Sequence, residues 1–181
     1  MALTATIHTF DIELSDTDRG VYETLALRVA RHPSESEDYL VTRVLAYCLE
    51  YADGVAFSKG LAEPDEPALA VRDLRGNLRV WIDIGAPDAA RMHRAGKTGA
   101  RVVVYTHKDP RMVARQWSGE RIHRASALEL YHVDHALLAA LVARLERRMA
   151  FALSVSGGHL YLTIDGELLE GPVSRHQLAT G

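Results

Sequence analysis

The chain has 181 residues, of which 48% are apolar and 25% charged, and its formal net charge is −3. This composition excludes collagen-like, low-complexity and disulfide-rich proteins and predicts one globular domain over residues 1–181. The single cysteine, Cys48, cannot form an internal disulfide, and no apolar run approaches the roughly 20 residues that cross a bilayer. The first residues lack the pattern of a secretory signal, so we expect a cytoplasmic protein. We also expect a monomer with no membrane partner.

Two strands and a helix are predicted in the first third of the chain. Residues 3–14 place Phe10, Ile12 and Leu14 on one side. The composition of the following VYETLALRVARH also permits a helix, but its period-two pattern favours a second strand that completes an N-terminal β-hairpin. In HPSESE, Ser34 fits an N-cap and Glu37 the third helical position of a capping box, with a helix continuing to about residue 51. A short strand, VAF, and a proline-containing loop or strand edge, AEPDEPA, come next.

Strands and helices alternate in the rest of the chain. RDLRGNLRVWIDIG predicts a hairpin that turns at Gly76-Asn77, and RVVVYTH predicts a buried central strand. Three aspartates are predicted to begin helices: Asp88, with a helix to about residue 96, Asp109, with a helix to about residue 117, and Asp134, with a helix over HALLAALVARLERRM. ALELYHV predicts a further strand, and FALSVSGGHLYLTIDG a C-terminal hairpin, with residues 171–181 as a frayed tail. This order predicts an α/β domain with a mixed sheet and parallel pairing in its second half.

Charge is distributed unevenly along the chain. Residues 1–88 contain 8 Lys/Arg and 16 Asp/Glu, whereas residues 89–128 contain 9 Lys/Arg and 2 Asp/Glu. A basic segment of this kind is typical of a surface that binds polyanions, and it is also compatible with a solvated helix face. We take Arg91, Arg94 and Arg101 as candidate nucleic-acid contacts.

The stretch RAGKTGA, at residues 94–100, contains the Gly-Lys-Thr ending of a phosphate-binding loop. The complete loop requires a glycine five positions before its second glycine, because the backbone must wrap the phosphates. That position is Arg91, and the segment is predicted to end a helix rather than to begin one. The sequence therefore excludes a nucleotide-binding P-loop.

Acidic residues before and within the predicted sheet indicate a metal site. Glu35 lies at a helix start, Glu66 lies in a proline-flanked loop directly before Pro67, and Asp83 lies on the strand after the hairpin. Carboxylates at a sheet edge supply the oxygen ligands that Mg²⁺ (or Mn²⁺) prefers, and a nearby Lys or Arg can stabilise phosphate charge. The spacing resembles the PD-(D/E)XK nuclease superfamily, except that Gly85 occupies the lysine position. Lys97, or Arg91, on the next helix is the candidate for a migrated basic group.

Five ordered blocks make the resemblance more specific: MALTATIHTF, ARHPSES, FSKGLAEPDEP, VWIDIG and VVVYTH. They are similar to the YaeQ family of small bacterial proteins. The resemblance implies a restriction-endonuclease-like core, here with the added N-terminal and C-terminal hairpins. It implies Glu66 and Asp83 as metal ligands and Glu35 and Lys59 as candidate catalytic residues. Lys97 lies outside the five blocks and is a catalytic candidate on the migration argument alone.

Each candidate also has a structural interpretation. Glu35 can stabilise a helix N-terminus, Lys59 can be a surface lysine, and Asp73 or Asp65 can replace Glu66. The favoured function is a Mg²⁺-dependent phosphodiesterase that acts on nucleic acid. The alternative is a catalytically inactive nuclease-fold module that binds nucleic acid or a protein partner, which the missing lysine at residue 85 favours.

Overall fold

The structure is a computed structural model that describes residues 4–58 and 65–178. Within these residues the chain forms a mixed α/β fold of ten strands, four α-helices and one short 3-10 helix. In chain order they are β1 (Thr6–Asp16), β2 (Val21–Arg31), α1 (Glu37–Leu49), β3 (Val55–Phe57), β4 (Leu69–Arg72), β5 (Leu78–Ile84), α2 (Ala89–Lys97), β6 (Arg101–Thr106), α3 (Pro110–Trp117), the 3-10 helix (Ala125–Ala127), β7 (Glu129–Val133), α4 (His135–Val142), β8 (Arg148–Ser156), β9 (His159–Ile164) and β10 (Glu167–His176).

The fold is organised as two compact units. The first consists of Met1–Val41 and Val133–Ser174, and the second of Thr42–His132 and Arg175–Gly181. Each unit contains its own run of hydrogen-bonded strands, and the predicted site residues that the structure describes, apart from Glu35, belong to the second unit.

In the first unit the strand order is β2-β1-β8-β9-β10. β1 pairs antiparallel with β2 over the full length of both strands and parallel with β8. Phe10, Ile12 and Leu14 are at most 2% exposed, which confirms the period-two pattern of the predicted N-terminal hairpin. The hairpin about Gly157-Gly158 is also confirmed, as the turn between β8 and β9.

The predicted α4 was too long. The helix ends at Val142, and Arg148 already begins β8, whose residues alternate between buried and exposed. Met149, Phe151, Leu153 and Val155 are buried on this strand, which pairs with β1 from Arg148 onward. Burial along a long paired strand outweighs the high helix propensity of the ARLERRM segment.

Two further predictions in this part of the chain are wrong. Ser36 rather than Ser34 caps α1, since its Oγ accepts the Tyr39 N–H at 3.1 Å, and Glu37 is the first helical residue. The predicted frayed tail begins too early, because β10 continues to His176 and pairs with β9 as far as Pro172.

In the second unit the strand order is β7-β6-β5-β4-β3. The predicted β4–β5 hairpin is antiparallel, and β5, β6 and β7 are parallel, as expected for strands joined by α2 and α3. Asp88 and Asp109 cap these two helices as predicted. One hydrophobic cluster joins the helices to the strands, with Trp81, Met92, Val104, Val113 and Trp117 among its members.

The helices show the environment of the single cysteine and their length relative to a bilayer. Cys48 is fully buried in α1, and burial raises the pKa of its thiol to about 12, which makes it a poor nucleophile. In the described parts of the chain, none of the helices has both the length and the apolar character needed to cross a bilayer.

Candidate functional site

Asp83 lies near the end of β5, with its side chain only 3% exposed. The Arg91 guanidinium binds both carboxylate oxygens, with Nε 2.6 Å from Oδ2 and Nη2 3.0 Å from Oδ1. The backbone N–H of Ala68 donates a further hydrogen bond to Oδ1, at 3.1 Å. Such charge-assisted, two-point pairs are among the strongest hydrogen bonds in proteins, so the Asp83 charge is balanced within the chain.

The start of α2 places Arg91 on Asp83. Asp88 accepts the Arg91 backbone N–H at 2.8 Å and thereby begins the helix a few residues after β5. The Arg91 guanidinium also lies over the Trp81 ring, 5.4 Å from its centroid, and Nη2 donates to the Glu66 carbonyl at 2.5 Å. Arg91, a predicted nucleic-acid contact, is therefore engaged by groups of its own chain.

The second predicted metal ligand, Glu66, differs from Asp83 in its surroundings. The residue is exposed, and its contact with Arg91 is made by the backbone carbonyl. The neighbouring Asp65 lies 3.9 Å from Arg94, a weak and exposed ion pair. Lys59, a predicted catalytic residue, lies outside the described residues.

The predicted Mg²⁺ or Mn²⁺ site can be compared with this geometry. Within residues 4–58 and 65–178, no three His, Cys, Asp or Glu side chains are grouped so that they could hold a metal ion. The Asp83 oxygens already accept three N–H groups. In the described arrangement these residues therefore do not fit a metal shared by Glu66 and Asp83.

Gly85, where the nuclease motif has lysine, is explained by its backbone. Its φ is +84°, in the left-handed region that side-chain-bearing residues rarely adopt, and its N–H donates to the Tyr105 carbonyl at 2.9 Å. A lysine at this position would be strained.

Glu35 lies in the first unit, directly before the residue that caps α1, and is 3% exposed. Its backbone N–H donates to the His32 carbonyl at 2.9 Å, and its carbonyl accepts the Arg31 Nε–H at 3.0 Å. These bonds fix the chain ahead of the helix and fit the structural interpretation of Glu35. Its predicted catalytic role stays a prediction.

Arg101, the third predicted nucleic-acid contact, lies in an ionic network. Its guanidinium donates to Glu129 at 2.6 and 3.1 Å and to Glu50 at 2.7 and 3.2 Å. Tyr105 donates its hydroxyl to Glu50 at 2.7 Å, and Tyr131 donates to Glu129 at 3.2 Å. We call these five residues the Arg101 network.

Titration behaviour in the Arg101 network follows from burial and these bonds. Burial and the neighbouring Glu50 carboxylate raise the pKa of Tyr105 well above its usual value. Burial opposes ionisation of Glu129, yet the hydrogen bonds from Arg101 hold its pKa below the usual range. Arg101 therefore neutralises two carboxylates inside its own chain.

A different arrangement occurs at the C-terminal end of α2. Lys97 is exposed there, six residues after Arg91 and thus about 9 Å further along the helix axis. The backbone N–H of His123 donates to Nδ1 of the His93 ring at 2.9 Å. Burial, together with the neighbouring Lys97, Arg121 and His123, lowers the pKa of His93. Arg124 follows, with Nη1 3.4 Å from the Gly99 carbonyl. We call His93, Lys97, Arg121, His123 and Arg124 the cationic cluster.

The cationic cluster is short of carboxylates. In the part of the chain that the structure describes, no ion pair joins Lys97, Arg121 or Arg124 to an acidic side chain. Sequence reasoning selected Lys97 but missed the other four members. Three of these four were present in the sequence as RIHR at residues 121–124, within the basic segment, but only the fold places that loop beside His93 on α2.

Known proteins similar to this chain agree with one another. The model of the YaeQ protein family matches residues 1–171. The YaeQ protein of Escherichia coli (strain K12) is 31% identical over 174 residues, which cover 94% of each chain. The relative from Salmonella typhi is 29% identical over 167 residues, covering 90% of this chain and 91% of that protein.

Two crystal structures extend the similarity to the fold. The YaeQ protein from Pseudomonas syringae is 28% identical, with a TM-score of 0.83 over 98% of this chain and 97% of that one. The YaeQ protein from Xanthomonas axonopodis pv. citri is 30% identical, also with a TM-score of 0.83, over 97% and 100% of the two chains. With the family match over almost the whole sequence, these findings establish that the chain belongs to the YaeQ family.

Proposed function

We propose that this protein binds nucleic acid through the cationic cluster and does so without a metal ion. The observation that carries the proposal is the hydrogen bond from the His123 backbone N–H to His93, which places the loop with Arg121 and Arg124 beside the end of α2 that bears Lys97. Exposed cations without carboxylate partners are available to phosphates, and release of condensed counterions then favours binding.

The ion pairs of the second unit distinguish cations that are compensated within the chain from cations that are available to phosphates. Arg91 and Arg101 are bound to Asp83 and to Glu50 and Glu129, so their charges are compensated. Lys97, Arg121 and Arg124 are exposed and have no such pairs among the described residues. Since Lys97 lies on the same helix end that the loop at residues 121–124 contacts, we assign the polyanion-binding surface of the basic segment to this end of α2 and this loop.

The test is fluorescence anisotropy with labelled single-stranded DNA and RNA oligonucleotides in EDTA. We expect saturable binding that weakens with salt, with a log–log slope of about 0.7 per phosphate contact. The double variant Lys97→Glu/Arg121→Glu should bind at least about tenfold more weakly and lose part of that slope. Arg75→Glu, an exposed arginine at the β4–β5 turn, is the matched control and should retain wild-type affinity. Equal loss in both variants would contradict the proposal.

A metal-dependent phosphodiesterase, within a restriction-endonuclease-like core, remains the second candidate because the exposed Glu66 lies next to the Arg91–Asp83 pair. A metal at Asp83 would require Arg91 to leave the carboxylate. The experiment is incubation of the same oligonucleotides with Mg²⁺ or Mn²⁺. Cleavage that Asp83→Asn abolishes, while oligonucleotide binding in EDTA persists, would establish this activity, and its absence would leave the binding function alone.

A further inference from the structure

The cationic cluster borders a cavity of about 310 Å³ in the second unit. The cavity lies between the C-terminal half of α2, the start of β6 and the loop that leads into β7. Apolar side chains line it, among them Met92, Ile122 and Leu128. A volume of this size falls at the lower end of the range for small-molecule pockets, and apolar walls suit a flat ring.

Polar groups also line the cavity. Arg101 and Glu129 both contribute to its surface. Arg101 donates four of its five guanidinium N–H groups, two to Glu129 and two to Glu50. The Glu129 carboxylate accepts three hydrogen bonds, two from Arg101 and one from Tyr131, at its four lone-pair positions. Within the described residues this leaves one donor and one acceptor, and the edge of a nucleobase presents both kinds of group.

Cations lie at the border of the cavity. Arg124 lines it directly beside the His123 side chain, and Lys97 and Arg121 lie near enough to His93 to lower its pKa. A phosphate attached to a molecule in the cavity would therefore meet several positive charges, and the guanidinium of Arg124 suits two-point phosphate binding.

The walls of the cavity are held in place. A Cβ added to Gly96 would lie 2.1 Å from the His123 carbonyl oxygen, so α2 and the loop approach as closely as glycine allows. The His123–His93 hydrogen bond fixes the same contact. Arg124 has φ 57° and ψ 40°, a left-handed conformation that a residue with a side chain adopts only when its surroundings impose it. The cavity is thus formed before any ligand binds.

We infer that this cavity is a base pocket, which takes the unstacked base of one nucleoside monophosphate unit while the cationic cluster binds the phosphate. The inference rests on the proposed nucleic-acid binding and adds its ligand unit. Two sources share this chemistry, a free nucleotide and the end of a nucleic-acid strand.

The first experiment uses the wild-type protein and calorimetry with AMP, GMP, CMP and UMP, each compared with ribose 5-phosphate. We expect at least one nucleotide to bind at least about tenfold more tightly than ribose 5-phosphate, because only the nucleotide has a base for the pocket. Equal affinities for ribose 5-phosphate and all four nucleotides, or no binding by any of them, would overturn the base pocket.

A pair of variants locates the binding. Ala127 lines the cavity and is exposed, whereas its exposed neighbour Ser126 does not line it. Ala127→Phe should reduce nucleotide affinity to that of ribose 5-phosphate, and Ser126→Phe should leave it unchanged, with thermal unfolding confirming that both fold. If Ala127→Phe does not fold, Arg124→Ala replaces it and should weaken nucleotide and ribose 5-phosphate alike. Unchanged nucleotide affinity in the folded cavity variant would overturn the pocket.

Oligonucleotide binding by the same proteins separates the two proposals. Loss of oligonucleotide affinity in Lys97→Glu/Arg121→Glu but not in Ala127→Phe, together with no preference of the wild-type protein for any nucleotide over ribose 5-phosphate, would overturn the pocket and keep the proposed function. Binding of nucleotides without binding of oligonucleotides would support the pocket, identify the free nucleotide as its ligand, and overturn the proposed function. Loss of oligonucleotide affinity in both variants would support the end of a strand as the ligand.

Discussion

The basic residues at the two ends of α2 differ in whether a carboxylate compensates their charge. Near its start, Arg91 is bound at two points to the buried Asp83 and lies over Trp81. Near its end, Lys97 is exposed and shares its surroundings with Arg121 and Arg124. The comparison teaches that a basic segment is not one surface: a cation bound to a carboxylate stabilises the fold, and only the remainder is available to a ligand.

The largest effect expected from this comparison is on Arg91. Replacement by methionine leaves the Asp83 carboxylate buried without its cation, which typically lowers the free energy of unfolding by about 3–5 kcal/mol. Urea unfolding measures the loss. The double variant Asp83→Asn/Arg91→Met should recover part of it, since Asn can still accept the Ala68 N–H. A loss below about 1 kcal/mol in Arg91→Met would contradict the assigned role.

A smaller loss is expected at Arg101, which also neutralises carboxylates but is 40% exposed. Arg101→Met leaves Glu50 and Glu129 without their shared cation, and water can reach part of the site. We expect a loss of about 2 kcal/mol in urea unfolding. Arg75→Met, at an exposed position, should change the stability by no more than about 0.5 kcal/mol. Equal effects of the two substitutions would show that the Arg101 network adds no stability.

The cationic end of α2 can be probed through His93. Lys97→Gln removes a positive charge that disfavours the imidazolium form, so the pKa of His93 should rise towards its usual value. An NMR titration of the His93 ring measures this change, and Arg75→Gln serves as the distant control. An unchanged His93 pKa in Lys97→Gln would contradict the contrast between the two ends of α2, because the Lys97 charge would then have no effect on His93.

The smallest expected effect is a pH dependence of stability. The His93 pKa is lowered in the folded protein, so the unfolded chain binds a proton first as the pH falls below about 6.5. The contribution of His93 is therefore complete above that pH and is lost as the pH falls towards the folded-state pKa. His93→Gln, which retains an acceptor for the His123 N–H, should show a smaller decline between pH 7.5 and 5.5 in urea unfolding. An equal decline in both proteins would exclude His93 as the cause.

Local signals in the sequence predicted many helix and turn positions. Asp88, Asp109 and Asp134 cap their helices by accepting N–H groups two or three residues ahead, and the turn at Gly157-Gly158 needs only its own residues. Such hydrogen bonds form within one turn of chain, so the order of residues is sufficient to predict them. The choice of Ser34 over Ser36 was wrong within the same short segment, where both serines satisfy the pattern.

Where long-range pairing competes with local propensity, the local signal was insufficient. ARLERRM favours a helix, yet Arg148 and Met149 belong to β8 because that strand pairs with β1, almost 140 residues away in the sequence. The strand β10 was missed for a related reason, since its alternation is weak and its partner β9 supplies the hydrogen bonds.

By itself the sequence determined the α/β class, most of the strands, three of the helix caps, the exclusion of a P-loop, and the existence of a basic segment. Only the tertiary structure decided which cations are compensated. Arg91 forms its ion pair with Asp83, eight residues away in the sequence. Arg101 forms its ion pairs with Glu129 and Glu50, which are 28 and 51 residues away in the sequence. The tertiary structure also placed the loop at residues 121–124 against α2, and this contact forms both the cationic cluster and the cavity. The physical reason is that the energy of a charge depends on what lies within a few ångströms of it, and that distance is set by folding.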